Sequence, residues 1–304
     1  MQTKQDIERL LAGAGTTPKH RLGQNFLIDL NLMRLLVDSA QINPADVVLE
    51  IGPGTGSLTE ALAESAGQVV AVEIDKNVAE LAQSRLAGAP NVQILNTDAL
   101  SNKGSLAPAV IQAVELARTR LRQTCPTPDA ARLMLVANLP YDVASPVMIN
   151  LVKGPLVVDA MCVTVQKEVA QRMIAPPGGR DYGTLSIFLQ AAGEVEMLRT
   201  LPPGAFWPPP QVDSAIVRYR RSEQKSRQIV DMDLLSAVIN LFIGHRRKML
   251  RACAKQASPQ LGGKEIWPAI FEQLGIDPTR RPEEIPPEQY VEMATLLGHL
   301  RDHT

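Results

Sequence analysis

Three acidic side chains stand near the ends of three short apolar runs: Glu50 in VVLEIG (47–52), Glu73 in QVVAVEID (68–75) and Asp98 in VQILNTDA (92–99). The first run leads into EIGPGTG (50–56), whose glycines at 52, 54 and 56 let backbone approach a ligand closely at a helix start. A dinucleotide fingerprint would read GxGxxG, with an acid ~20 residues further on for the ribose. Here the pattern is GxGxG, Pro53 lies inside it, and Glu50 directly precedes it. Glu73 is placed to bind the ribose hydroxyls of an adenosine, and Asp98 to reach an adenine amino group. Such a ring of acids repels a pyrophosphate. It suits a ligand with a positive charge and no phosphates, such as S-adenosylmethionine. Taken singly, each acid also reads as a helix cap or a solvated turn, and Asp75 is equally natural as the cap of the helix after it. The glycines alone would also serve tight strand–helix packing.

A second constellation closes RLMLVANLP (132–140), where Asn138-Leu139-Pro140-Tyr141 follows five apolar residues. An exocyclic adenine amine is a poor nucleophile, because its lone pair is delocalised into the ring. An Asn138 side-chain oxygen and the Pro140 carbonyl can accept its hydrogens and turn the lone pair toward a methyl sulfonium. Tyr141 can stack on the base and fix its plane. Positioning then supplies the acceleration, and no strongly basic residue is required. Asn-x-Pro is also ordinary turn chemistry.

These residues need a scaffold that brings strand ends together. The four apolar runs, with MCVTVQKE (161–168) as a fifth, alternate with helical spacing in LTEALAESA, NVAELAQSRLAG and 106–122. That alternation predicts right-handed βαβ crossovers, a parallel sheet and a doubly wound α/β domain, with the acids at its switch-point crevice. After Asp181 the runs TLSIFLQ, EVEMLRTL and SAIVRYR read as closely spaced strands, with LPPGAFWPPPQ as a rigid loop between the last two. CPTPDAA reads as a turn. From Met232 the pattern is helical, through DLLSAVINLFI, RRKMLRACAKQ, EIWPAIFEQLG and PEQYVEMATLLGHL. The polar stretch SEQKSRQIVD predicts a boundary between a catalytic domain, 1–225, and a helical domain, 226–304.

Cys125, Cys162 and Cys253 lie far apart, with neither zinc-ligand spacing nor a disulfide pattern. The four histidines do not cluster with acids, so no metal site is expected. His20 reads as part of a basic entrance, and His299 and His303 as tail residues. MQTKQDIERLLAGAG is too polar for a signal segment, and no run reaches the ~20 apolar residues of a membrane span. A cytoplasmic protein is expected. The net charge of -1 argues against a nucleic-acid partner until it is partitioned. Residues 214–255 carry ten basic and three acidic side chains, in RYRRSEQKSR and HRRKMLRACAK, and a smaller KHR cluster lies at 19–21. A local excess of that size can hold phosphates through counterion release. Its alternative is a set of solvated helix faces, with Arg246 or Arg247 paired to acids.

GQNFL (23–27), EIGPGTG, VEID, TDA and NLPY, in that order and spacing, resemble the ribosomal RNA adenine dimethyltransferase family. AFWPPPQVDSAIVR (205–218), GHRRKMLR (244–251) and IDPTRRPEEI (276–285) resemble its bacterial small-subunit (16S) branch, and the likeness runs from about Lys19 to Ala294. The resemblance implies a Rossmann-like methyltransferase domain followed by a small helical domain that contributes to RNA binding. It implies S-adenosylmethionine as cofactor, contacted by Asn25, Leu27, Gly52, Gly54, Glu73, Asp98 and Asn138. Asn138, Pro140 and Tyr141 would hold the base, with Phe206 sandwiching it from the opposite side. RNA contacts fall to Lys19, Arg21, Arg218, Arg220, Arg221, Arg246, Arg247, Lys248 and Arg251. The implied reaction is dimethylation of two adjacent adenosines in the 3′-terminal hairpin of 16S rRNA, within the immature small subunit, by a monomer. Two departures are local: the 101–131 connection is long, and His245 replaces the more usual Gln. The alternatives are a 23S rRNA dimethylase of the antibiotic-resistance type, a non-catalytic assembly factor of the same fold, and a dinucleotide oxidoreductase. An intact EIGPGTG, Glu73, Asp98 and NLPY disfavour the second, and GxGxG disfavours the third.

Overall fold

The computed structural model describes residues 2–124 and 131–302, so Cys125, His303 and all but the last residue of the CPTPDAA turn lie outside it. Seven strands form one sheet among the described residues: β1 (Val47–Ile51), β2 (Gln68–Glu73), β3 (Val92–Asn96), β4 (Leu133–Asn138), β5 (Ala160–Gln166), β6 (Gly193–Leu201) and β7 (Ser214–Arg221), in the order β3-β2-β1-β4-β5-β7-β6. The first five run parallel, and β7 lies antiparallel on β5. Near-continuous apolar runs are what a parallel sheet buried on both faces demands. Val47 and Leu49 on one face of β1 and Val48 on the other are all fully buried.

The helices are α1 (Lys4–Gly13), α2 (Leu30–Ala40), α3 (Ser57–Ala63), α4 (Lys76–Arg85), α5 (Pro108–Thr124), α6 (Ala144–Lys153), α7 (Lys167–Ile174), α8 (Thr184–Ala192), α9 (Glu223–Ser226), α10 (Met232–Ile243), α11 (Leu250–Ala254), α12 (Trp267–Gln273) and α13 (Pro287–Asp302). Met33 and Leu36 of α2 and Leu58 and Leu62 of α3 share a core with Val48, Val69, Met134 and Ile216 of the sheet. The polar N-terminus forms α1, started by a reciprocal cap between Thr3 and Asp6. Its Ile7 and Leu11 are buried with Phe26 and Val78.

TLSIFLQ corrects the sequence reading, since it lies in α8 and not in a strand. Seven of the nine residues of α8 are buried, so apolar side chains surround the helix and the amphipathic signature disappears. RRKMLRACAKQ is helical only over Leu250–Ala254, with 244–248 in turns.

The chain divides into two compact units, Met1–Ala170 with Glu196–Arg220, and Gln171–Val195 with Arg221–Thr304. The second therefore takes in α8 and its flanks besides the C-terminal helices. Within it α8, α10 and α13 contact one another. The Phe242 and Trp267 rings meet edge-on at 4.9 Å, and the Tyr182 and Tyr290 hydroxyls donate to the Ile285 and Pro282 carbonyls, each at 2.8 Å. Among the described residues no helix is long and apolar enough to cross a membrane.

Candidate active site

The C-terminal ends of β1, β2 and β4 and the turn after β3 open into one pocket in the first unit. Parallel register puts them level: β1 pairs with β2 up to Ile51–Val72, and Glu73 stands opposite Asn96 of β3. The pocket is lined by Asn25, Leu27, Glu50, Gly52, Gly54, Glu73, Asp98, Asn138 and Pro140, which brings together the cofactor residues expected from the sequence.

The glycine turn is bent by necessity. Gly52 and Gly54 have φ of 76° and 56°, and a Cβ on Gly54 would fall 2.7 Å from the Phe26 ring. The turn is tied to the acids beside it, because the Gly54 N–H donates to Glu73 Oε2 (3.3 Å) and the Asp75 N–H to Glu73 Oε1 (3.0 Å). Glu73 is buried, and burial raises its carboxyl above the ordinary value despite those donors. Glu50 is buried as well, and its Oε2 has no hydrogen-bond partner among the described residues. Burial pushes the Glu50 carboxyl up to about 8, with the nearby Thr59 hydroxyl opposing the shift and the Glu73 charge adding to it. Asp98 is exposed at the rim, where its Oδ1 accepts from the Leu100 N–H (2.9 Å).

Asn138 ends β4 with its amide oriented. Its Nδ2 donates to the Asn25 carbonyl at 2.7 Å, which leaves Oδ1 as an acceptor and joins GQNFL to NLPY. The Pro140 carbonyl accepts from the Val143 N–H (3.2 Å) in the turn into α6, so one of its two lone pairs is open. Tyr141 is half-buried, with its hydroxyl 2.8 Å from Ser214 Oγ, and burial raises its pKa while that hydrogen bond lowers it. Tyr141 is not among the described residues that line the pocket, unlike its neighbours Pro140 and Asp142.

Phe206 does not do what the resemblance implies. Its ring is 2% exposed, in the core with Leu27, Met33 and Ile216. Antiparallel pairing sets Leu27 opposite Phe206 and Phe26 opposite Trp207, so this short ribbon turns Phe206 inward. A ring without a free face cannot stack on a base. Phe206 instead anchors the ribbon, and Phe26 stacks on Trp207 at 6.3 Å while facing Gly54.

Other contributors were not singled out in the sequence. Ile7 of α1 lines the pocket, and the Gln2 side chain exchanges hydrogen bonds with Thr55 beside the glycine turn. Ile74 is half-exposed in the pocket wall, an apolar surface suited to a planar ring. Gln24 accepts from the Lys19 N–H (2.8 Å) and donates to Asp75 Oδ2 (3.3 Å). Asp75 caps α4 through the Asn77 N–H (3.2 Å) and takes Lys19 Nζ at 2.7 Å. Burial opposes ionisation of Asp75, but the Lys19 and Gln24 bonds outweigh it and lower its pKa. The only signal for this bridge in the sequence is the position of Lys19 and Gln24 beside a motif.

The nine cations expected to meet RNA divide by their bonds. Lys19 is held by Asp75, Arg218 by Glu196, and Arg246 by Glu283 at 2.9 Å. Arg220 donates to Gln41 Oε1 (2.9 Å), and Arg221 Nη1 is buried with no hydrogen-bond partner among the described residues. Arg21 in the first unit and Arg247, Lys248 and Arg251 in the second are exposed.

A family described as Ribosomal RNA adenine dimethylase matches residues 15–298 of this chain. The chain belongs to that family. It is 39% identical over 302 residues to a ribosomal RNA small subunit methyltransferase A from Geobacillus kaustophilus, covering 98% of this chain and 96% of that one. It is 33% identical over 299 residues to a probable ribosomal RNA small subunit methyltransferase A from Methanopyrus kandleri, covering 98% of each. Among solved structures, a dimethyladenosine transferase from Plasmodium falciparum superposes with a TM-score of 0.71 at 22% identity, over 90% of this chain and 98% of that one. The 23S rRNA methyltransferase ErmE gives 0.59 at 24%, over 90% and 100%. Both likenesses are of fold. The methyl donor of the family is S-adenosylmethionine, and the pocket fits it: Gly52 and Gly54 bring bare backbone to its wall, and the buried Glu50 Oε2, with no hydrogen-bond partner among the described residues, suits a donor or a cation. Among the described residues, Arg21 is the sole basic residue lining the pocket, against Glu50, Glu73, Asp98 and Asp142, a balance that favours a cationic ligand.

Proposed function

We propose that this chain methylates the 6-amino groups of two adjacent adenosines in the 3′-terminal hairpin of 16S rRNA, twice each, during assembly of the small ribosomal subunit in the cytoplasm, acting as a monomer. One observation carries the reading: an oriented Asn138 amide shares a pocket with an orphaned, buried Glu50 and with Glu73 and Asp98. Relatives bearing the small-subunit name match from end to end, which favours that branch over the 23S enzymes.

S-adenosylmethionine, when bound, supplies a methyl group on a positively charged sulfur. Glu73 would accept from its ribose hydroxyls and Asp98 from its adenine amine, with Gly52, Gly54, Asn25 and Leu27 as the walls that would hold it. Asn138 Oδ1 and the free lone pair of the Pro140 carbonyl accept the two N6 hydrogens of the target adenine. That pair of acceptors rotates the amine so that its lone pair leaves conjugation and points into the pocket. Tyr141, fixed through Ser214, gives the base a surface to lie on. The methylated nitrogen is acidic and gives its proton to water, so the site needs no strong base. For the second methyl, one hydrogen bond to N6 is replaced by a methyl contact. The target must leave its helical stack to reach Asn138, at a cost of a few kcal/mol, which the exposed cations offset by holding phosphates. The helical C-terminal region, 226–304, supplies Arg247, Lys248 and Arg251 to that grip.

The test is transfer of labelled methyl groups to unmethylated small and large subunits offered side by side. Label should enter small-subunit RNA alone. Label in large-subunit RNA would move the assignment to the 23S branch, and RNA binding without any label would leave an assembly factor.

A further inference from the structure

A second cavity lies wholly within the helical unit, among α11, α12 and the segment 276–278, with a volume of about 410 Å³. Two main-chain bonds hold it together: Leu250 N–H to the Arg280 carbonyl (2.8 Å) and Arg251 N–H to the Pro278 carbonyl (3.0 Å). Its floor is apolar, made by Ala254, Phe271 and Ile276, all buried. The exposed rings of Pro268 and Pro278 wall it. Three exposed cations, Arg251, Lys255 and Lys264, also line it, against one acid, Glu272. Arg251 and Lys255 have no carboxylate within 4 Å among the described residues, although the Arg251 charge reaches Asp277 and helps lower its pKa, and Lys264 has only the exposed neighbour Glu265 at 3.6 Å. The volume falls in the range of small-molecule sites, roughly 300–1,000 Å³.

We propose that this cavity seats one unstacked nucleotide of the RNA, with its base on the apolar floor and its phosphate among the three cations. An apolar floor alone would accept many ligands. The cations select one that joins a flat apolar body to a negative charge, which is the chemistry of a nucleotide displayed from a loop or bulge. Arg251 can lay its guanidinium plane over the base, and Lys255 and Lys264 reach the phosphate. The site would give the helical unit a grip on RNA shape of its own. The inference rests on RNA being the substrate, which is the family's property.

The full chain is labelled at alanine and isoleucine methyls and titrated with adenosine and uridine 5′-monophosphates. The Ala254 and Ile276 methyls should shift saturably, and inorganic phosphate at equal ionic strength should leave them in place. Lys255→Glu with Lys264→Glu, both on the surface, should weaken the titration about tenfold with an unchanged thermal midpoint. The same double variant should raise KM for unmethylated small subunits and spare kcat. Ala254→Leu, which raises the floor, should abolish the shifts and leave phosphates their cations. Absent shifts, equal shifts from phosphate alone, or tighter binding of a hexaglutamate peptide would each overturn the proposal, the last in favour of a protein partner. Failure of the small-subunit assignment would leave the mononucleotide shifts intact. Failure of this site would leave subunit methylation intact and insensitive to the double variant.

Discussion

Asn138 draws its role from a single bond, because donation from Nδ2 to the Asn25 carbonyl decides which end of the amide is left for the substrate. Asn138→Ala removes the acceptor while sparing the glycine cradle and the acids. It should cut methyl transfer by at least about 10²-fold, with S-adenosylmethionine affinity nearly intact, as read by single-turnover kinetics and calorimetry. Glu50 makes a prediction in pH. Its carboxyl keeps a proton to about 8 in the folded protein, against an ordinary value of 4.5. The folded state therefore binds the proton more tightly than the unfolded one across that window, and stability falls as pH rises through it. Glu50→Gln, neutral throughout, should gain thermal stability relative to the ligand-free parent from pH 5 to pH 8. A bound cation favours the ionised form, so the parent's affinity for S-adenosylmethionine should rise over the same range and that of Glu50→Gln should stay flat. A flat profile for the parent would mean that Glu50 is already ionised.

The N-terminal helix is the element whose part in the site was least legible. MQTKQDIERLLAGAG reads as polar, yet Ile7 and Leu11 fall four apart and pack on Phe26 and Val78, and Ile7 reaches the pocket. Ile7→Ala should cost about 2–4 kcal/mol of stability in urea titration and weaken cofactor binding. A loss of stability without loss of affinity would separate the helix from the site. The acids and glycines were legible because a parallel sheet forces strand ends into register, so spacing in the sequence becomes proximity in space. Asn138 was legible as a polar residue ending an apolar run. The misplacements have equally physical causes. Buried on every side, α8 lost its helical period, and Phe206 was turned inward by a two-residue ribbon that no local pattern encodes. Lys19 reads as a free cation until its partner, 56 residues away, is seen.

At the scale of the molecule, an overall charge of -1 conceals, among the nine cations expected to meet RNA, four that are exposed, Arg21, Arg247, Lys248 and Arg251, and several that are spoken for internally. The free ones should carry the salt dependence. Arg247→Glu with Lys248→Glu should lower subunit affinity and flatten its slope against log salt by about two, whereas Lys19→Glu should instead disturb the Asp75 bridge and cofactor binding. Equal effects of the two changes on the salt slope would refute that division. The proposed function turns on where the methyl groups go. Mass spectrometry of the 3′-terminal fragment of small-subunit RNA, after incubation of unmethylated subunits with this protein and S-adenosylmethionine, should find two adjacent N6,N6-dimethyladenosines, and none with Asn138→Ala. An unmodified fragment, or methyl groups on adenosines elsewhere in ribosomal RNA, would contradict it.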